Sequence, residues 1–158
     1  MGHDITAMRP GVEYEELAEQ YDLDNNDDGW FERYQEFERL TKVACNRRSA
    51  TSPLNQVLYL ALGVMDEAYA GCSGNGAALN ITLDQFRTAA EVLETKDFAN
   101  MEREPNMADT FLDNLRAEGN EVVEYAEPPD VESEKNFVQL CIEFLESTGQ
   151  KSIEVKFD

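Results

Sequence analysis

The sequence predicts an all-α chain made of two pairs of helix-loop-helix units, with short antiparallel ladders joining the paired loops. Three observations carry that expectation. Apolar residues recur at three- and four-residue spacing through most of the chain. Four apolar residues, Phe31, Ile81, Val123 and Ile153, each stand at the eighth position of a loop-like stretch, where a short β contact would join two loops. The length, 158 residues, is enough for one core and short for two independent ones. The expected domain is therefore 1–158, with 11–97 as the first helix-loop-helix pair and 98–158 as a degenerate second pair.

Residues 1–10 read as a loose leader closed by Pro10. Val12, Tyr14, Leu17, Ala18 and Tyr21 then take helical spacing, with acids on the opposite face. Phe31, Tyr34, Phe37, Leu40, Val43 and Ala44 mark a second helix, followed by a polar break from Arg47 to Pro53. From Leu54 to Met65 the chain is apolar on more than one face, as a buried helix is. Gly71–Gly76 interrupts it. Asn80–Phe86 begins β-prone and enters another helix, with Thr82 as N-cap and Gln85 as its capping-box partner. Ala108, Phe111, Leu112 and Leu115 predict a further helix, Pro128-Pro129 a stop, and Phe137, Leu140, Cys141, Phe144 and Leu145 a last one. The fourth loop begins at Glu146, and the chain ends before an exit helix.

Composition narrows the function classes. The net charge is −20, which disfavours nucleic acid or an anionic membrane as a partner and favours cations or basic peptides. Hydrophobic residues make up 42%, so the chain folds and is not an acidic disordered tail. Cys45, Cys72 and Cys141 form no CxxC and the one histidine is His3, which argues against a zinc site or a Cys/His dyad. Sparse thiols and the absence of an apolar span or signal-peptide core point to the cytoplasm. Met1–Thr6 fits a loose myristoylation pattern at Gly2, short enough to recur by chance.

The richest motif runs from Asp24 to Gln35. Oxygen-bearing side chains alternate, a glycine follows, then an apolar residue and more acids. A calcium ion wants six to eight oxygens, and a twelve-residue loop supplies them from its first, third, fifth, seventh, ninth and twelfth residues. Those are Asp24, Asn26, Asp28, the Trp30 carbonyl, Glu32 and Gln35, with Gly29 at the turn. The EF-hand pattern ends in Glu, and a terminal Gln offers one neutral oxygen where Glu offers two charged ones. The other three loops, from Gly74, Arg116 and Glu146, lack clustered carboxylates and read as structural.

Together with Tyr21–Phe37, the stretches Val64–Ala68 and Ile81–Phe86 resemble the N-terminal half of sarcoplasmic calcium-binding proteins and their bacterial calerythrin-type relatives. The resemblance covers about residues 12–95 and fades beyond. It implies a compact all-α four-EF-hand fold and a weak calcium buffer or sensor, with at most one site, the first loop.

Two further classes follow from the residues. One is a metal-independent small-molecule binder or enzyme with an internal apolar cavity and a trapped carboxylate such as Asp66, Glu67 or Glu91. The other grips a basic amphipathic peptide in an apolar groove, with Met65, Met101 and Met107 as adaptable contacts. No GxSxG, P-loop or dinucleotide fingerprint is present, so the reading leans away from an enzyme.

Overall fold

A computed structural model of the chain describes residues 2–98, 100–122, 127 and 129–158. It corrects the all-α expectation: the centre of the molecule is a four-stranded antiparallel sheet of order β2-β1-β4-β3. The elements in chain order are β1 (Gly2–Met8), α1 (Tyr14–Gln20), α2 (Trp30–Thr41), β2 (Lys42–Ser49), α3 (Val57–Leu62) and α4 (Met65–Ala68). They continue with β3 (Ala78–Thr82), α5 (Leu83–Thr95), α6 (Met107–Ala117), α7 (Glu132–Thr148) and β4 (Ser152–Phe157).

The two central strands are the two ends of the chain. β1 was read as a loose leader and β4 as the stump of a truncated fourth unit. Both carry a two-residue alternation that a helical template passes over. In β4, Ile153, Val155 and Phe157 point into the core and Glu154 and Lys156 point out. In β1, His3, Ile5 and Ala7 take the core face. β1 pairs with β2 from Gly2↔Ser49 to Met8↔Lys42, and β4 lies on its other side with Ile5↔Phe157 and Ala7↔Val155.

One ladder was anticipated in kind but not in partner. Ile81 sits opposite Ile153 in the β3–β4 pair, so the second and fourth loop stretches meet. Phe31, expected in a ladder, lies inside α2 and is 60% exposed. Val123 and Pro128 lie outside the described residues.

The helices fall close to their periodic stretches, except that Val43 and Ala44, expected in the second helix, lie in β2. Phe137, Val138, Cys141, Ile142 and Leu145 form the buried stripe of α7, which packs on α5 and β2, and α5 in turn meets α3. Thr82 caps α5 as the sequence predicts: its hydroxyl accepts from Gln85 N at 3.2 Å, and Gln85 Oε1 accepts from Thr82 N at 2.9 Å. Gly149, with φ 72°, closes α7 and turns the chain into β4.

The core side of the sheet holds Ile5, Ile81, Val155 and Phe157 against Leu58, Tyr59, Phe86 and Phe137. At the opposite face Tyr14 donates to Met8 Sδ at 3.7 Å, and Lys156 Nζ lies 5.8 Å from the Tyr14 ring centre. Phe37 meets Tyr14 edge-on at 5.5 Å. The α1–α2 hairpin is thereby held at the end of β1, and none of the α1 residues is buried. Among the described residues no helix is long and apolar enough to cross a membrane.

Candidate functional site

The acidic stretch that stands out in the sequence is the connection of this hairpin. Between Glu13 and Glu32 lie nine acids and no lysine or arginine: Glu13, Glu15, Glu16 and Glu19 on or beside α1, Asp22, Asp24, Asp27 and Asp28 in the loop, and Glu32 in α2. All nine are exposed.

The loop keeps its shape by using a cation of its own chain. The Arg33 guanidinium reaches back from the first turn of α2. Its Nε donates to Tyr21 O at 2.8 Å, Nη2 to Asn25 O at 2.8 Å and Asp22 O at 3.3 Å, and Nη1 to Asp27 Oδ1 at 2.8 Å. Trp30 Nε1 donates to Leu23 O at 2.9 Å, and the Trp30 ring stacks on Tyr34 at 4.8 Å. Hydrogen bonding to Arg33 holds the Asp27 carboxyl below its ordinary range.

Gly29 is explained by the same latch. Its φ of −92° needs no glycine, but an added Cβ would stand 3.0 Å from Arg33 Nη1. The residue that does turn left-handed is Asp22, with φ 49°.

The six expected metal ligands fare differently. Asp24, Asn26, Asp28, Glu32 and Gln35 are exposed, and Trp30 opens α2, so its carbonyl turns along the helix. Asp24, Asp28 and Glu32 do not converge: no group of three or more His, Cys, Asp or Glu side chains able to hold a metal ion occurs among the described residues. The calcium-binding description therefore has no carboxylate cluster behind it. An arginine five residues past the fifth loop position, next to one carboxylate and three carbonyls, was the available signal, and spacing alone hides it.

Replacing Arg33 with methionine keeps much of the stem and removes the latch. The expected cost is about 1–2 kcal/mol in urea unfolding, with faster amide exchange across 22–29 and unchanged protection in the sheet. A loss confined to global stability, with the loop still protected, would show that Arg33 does not set the loop.

The carboxylates considered for acid–base work, Asp66, Glu67 and Glu91, lie in solvent. Among the described residues the buried acid is one that the periodicity missed, Glu134 at 0% exposure, and it is paired with Arg48. Arg48 Nη2 donates to Glu134 Oε1 at 2.6 Å and to Asp130 O at 2.7 Å, and Nε to Glu134 Oε2 at 3.2 Å. Burial opposes the Arg48 charge, and Glu134 together with Glu127 more than offsets it, raising the guanidinium. Glu127, read as the end of a third loop, accepts from Ser49 N at 2.6 Å.

Beside this pair, His3 lies cross-strand from Arg48 and 3.3 Å from the Tyr59 hydroxyl. Burial lowers the pKa of His3, against the pull of Asp4 and Glu127. His3, Arg48 and Glu134 are buried together at one end of the sheet. Cys45, Cys72 and Cys141 are free, and burial pushes the Cys141 thiol up to about 12, far from a nucleophile.

Comparison of the chain with protein-family models, with curated proteins and with solved structures finds no match.

Proposed function

We propose that this protein is an interaction module that captures a basic polypeptide on the acidic arm formed by α1, its loop and α2. The observation that supports it is the sign imbalance of the arm: nine exposed acids, with the nearest following cation, Arg33, turned inward to the loop. Charge of one sign on a projecting surface is uncompensated locally and steers an oppositely charged partner from a distance. The rest of the chain adds to the field, since the whole carries −20. Phe31, 60% exposed one residue before Glu32, gives the arm an aromatic contact that need not be charged.

The test is calorimetric titration with an 18-residue Lys–Gln peptide at physiological salt. The arm variant carries Glu13→Gln, Glu15→Gln, Glu16→Gln, Glu19→Gln and Glu32→Gln. A control variant removes as many exposed charges elsewhere: Asp84→Asn, Glu91→Gln, Glu94→Gln, Glu143→Gln and Glu154→Gln. Binding should weaken about tenfold or more in the arm variant and about twofold in the control. Equal losses would mean that only total charge matters and would overturn the arm as the site.

A further inference from the structure

We infer that α6 is a second, apolar contact for such a partner: Met107 and Phe111 anchor the apolar stripe of a cationic amphipathic helix. The inference rests on the basic-partner reading for the sign of the occupant, and on separate observations for the place.

Of the eleven residues of α6 only Ala108 is buried. Met107 is 79% exposed and Phe111 51%, and at a four-residue interval they stand one above the other on one face. The first turn of the helix is nonetheless fixed. The Asn106 side chain accepts from Ala108 N and Asp109 N, and its Nδ2 donates to Ala50 O at 2.9 Å. Arg103 clamps Asp109 through two bonds of 2.6 and 2.9 Å and donates to Ser52 O at 2.9 Å. A helix anchored at its first turn that leaves a large thioether and a phenyl ring in solvent offers a contact surface rather than a core element.

Open clefts run along both flanks. One, of about 510 Å³, lies between Thr51, Pro53, Met101 and Leu112, and the other, of about 590 Å³, lies between Gln56, Tyr69, Cys72 and Thr110. A helix laid across α6 has recesses on either side for its own apolar side chains, and the Met107 thioether adapts to their shape.

The charge of the rim selects the occupant. From Glu102 to Val122 there are six acids, Glu102, Glu104, Asp109, Asp113, Glu118 and Glu121, against two arginines, Arg103 and Arg116. Both arginines are in ion pairs, with Asp109 and Asp113. A second copy of the chain would bring −20 against −20, whereas lysines or arginines flanking an apolar stripe meet acids on each side of the two anchors.

The experiment compares two 18-residue probes by titration, an amphipathic Leu–Lys helix and the Lys–Gln peptide, on the wild type and on a Met107→Ala/Phe111→Ala variant. Both anchors are exposed, so the variant should melt at the wild-type temperature. Its affinity for the Leu–Lys helix should fall about tenfold while that for the Lys–Gln peptide stays unchanged. An unchanged Leu–Lys affinity overturns the anchor and leaves the arm reading standing. Loss of the Leu–Lys helix in the variant, with no wild-type binding of the Lys–Gln peptide, supports the anchor and removes the arm. Sedimentation that shows a dimer dissolved by Phe111→Asp overturns the inference in favour of a second copy as occupant.

Discussion

Glu134→Ala lowers the unfolding free energy by about 3–5 kcal/mol, the largest effect expected of an acidic side chain in this protein. Glu134 has 0% exposure and Arg48 4%, and the two share bonds of 2.6 and 3.2 Å. Ser133 Oγ adds a further donor to Glu134 Oε2 at 2.8 Å. Truncating the acid takes away the bidentate partner of a guanidinium that remains buried and keeps only the longer 3.5 Å contact to Glu127. The pair also ties β2 to the first turn of α7 across 86 residues of sequence, so its loss frees two elements at once. Urea unfolding followed by circular dichroism measures the cost. The double replacement Arg48→Met/Glu134→Leu removes both charges and should recover most of it, to within about 1 kcal/mol of the wild type. A single replacement costing under about 1 kcal/mol would show that the pair is not what fixes the helix to the sheet.

Gly74→Ala is the second large effect, about 2–3 kcal/mol, by a different route. A Cβ at Gly74 would collide with the carbonyl carbon and oxygen of Phe157 and stand 2.8 Å from Asp158 N. These are backbone atoms at the end of β4, a central strand paired with both β1 and β3, and they have little freedom to retreat. The Phe157 carbonyl also accepts from Gly76 N at 2.8 Å, and Phe157 N donates to Ala77 O at 2.9 Å. Displacing the strand end therefore breaks hydrogen bonds as well as packing. Gly71→Ala separates this clash from ordinary glycine strain: its φ is 92° but nothing lies within 4 Å of the added carbon, so only the backbone penalty of about 1 kcal/mol applies. Thermal unfolding of the two variants should differ by several degrees. Equal melting temperatures would show that the strand end yields to the added carbon and that the clash is not the source of a large cost.

What periodicity reads well here, it reads through contiguous residues. The stripe that includes Phe137, Cys141 and Leu145 needs only its own helix to declare itself, and Thr82 with Gln85 closes a capping box within four residues. The sheet was missed because β2 has an untypical core and the helical loop template overrode the alternation of β4. β2 buries Asn46 and Arg48, polar residues that break any apolar alternation, and Arg48 is tolerable there only because Glu134 arrives from far along the chain. β4 did carry a clean alternation, Ile153-Glu154-Val155-Lys156-Phe157, but the helical loop template claimed Ile153 first.

The acidic loop shows the same division. That Asp24–Gln35 is polar, turn-forming and flanked by two helices was legible, because those are properties of composition and local backbone preference. Which cation the carbonyls and Asp27 face was not. The metal pattern counts oxygens by position, whereas the structure brings the Arg33 guanidinium back over Tyr21, Asp22 and Asn25.

The sequence alone thus determined where the helices lie, that the surface is strongly acidic, and that a polar hairpin loop follows Leu23, since each depends on neighbours within about one helical turn. Tertiary structure decided that the two chain ends pair as central strands, that Arg33 closes the loop, and that Met107 and Phe111 face outward. Those outcomes depend on which distant surfaces bury each other, and an alternation such as that of β4 does not say which strand it pairs with.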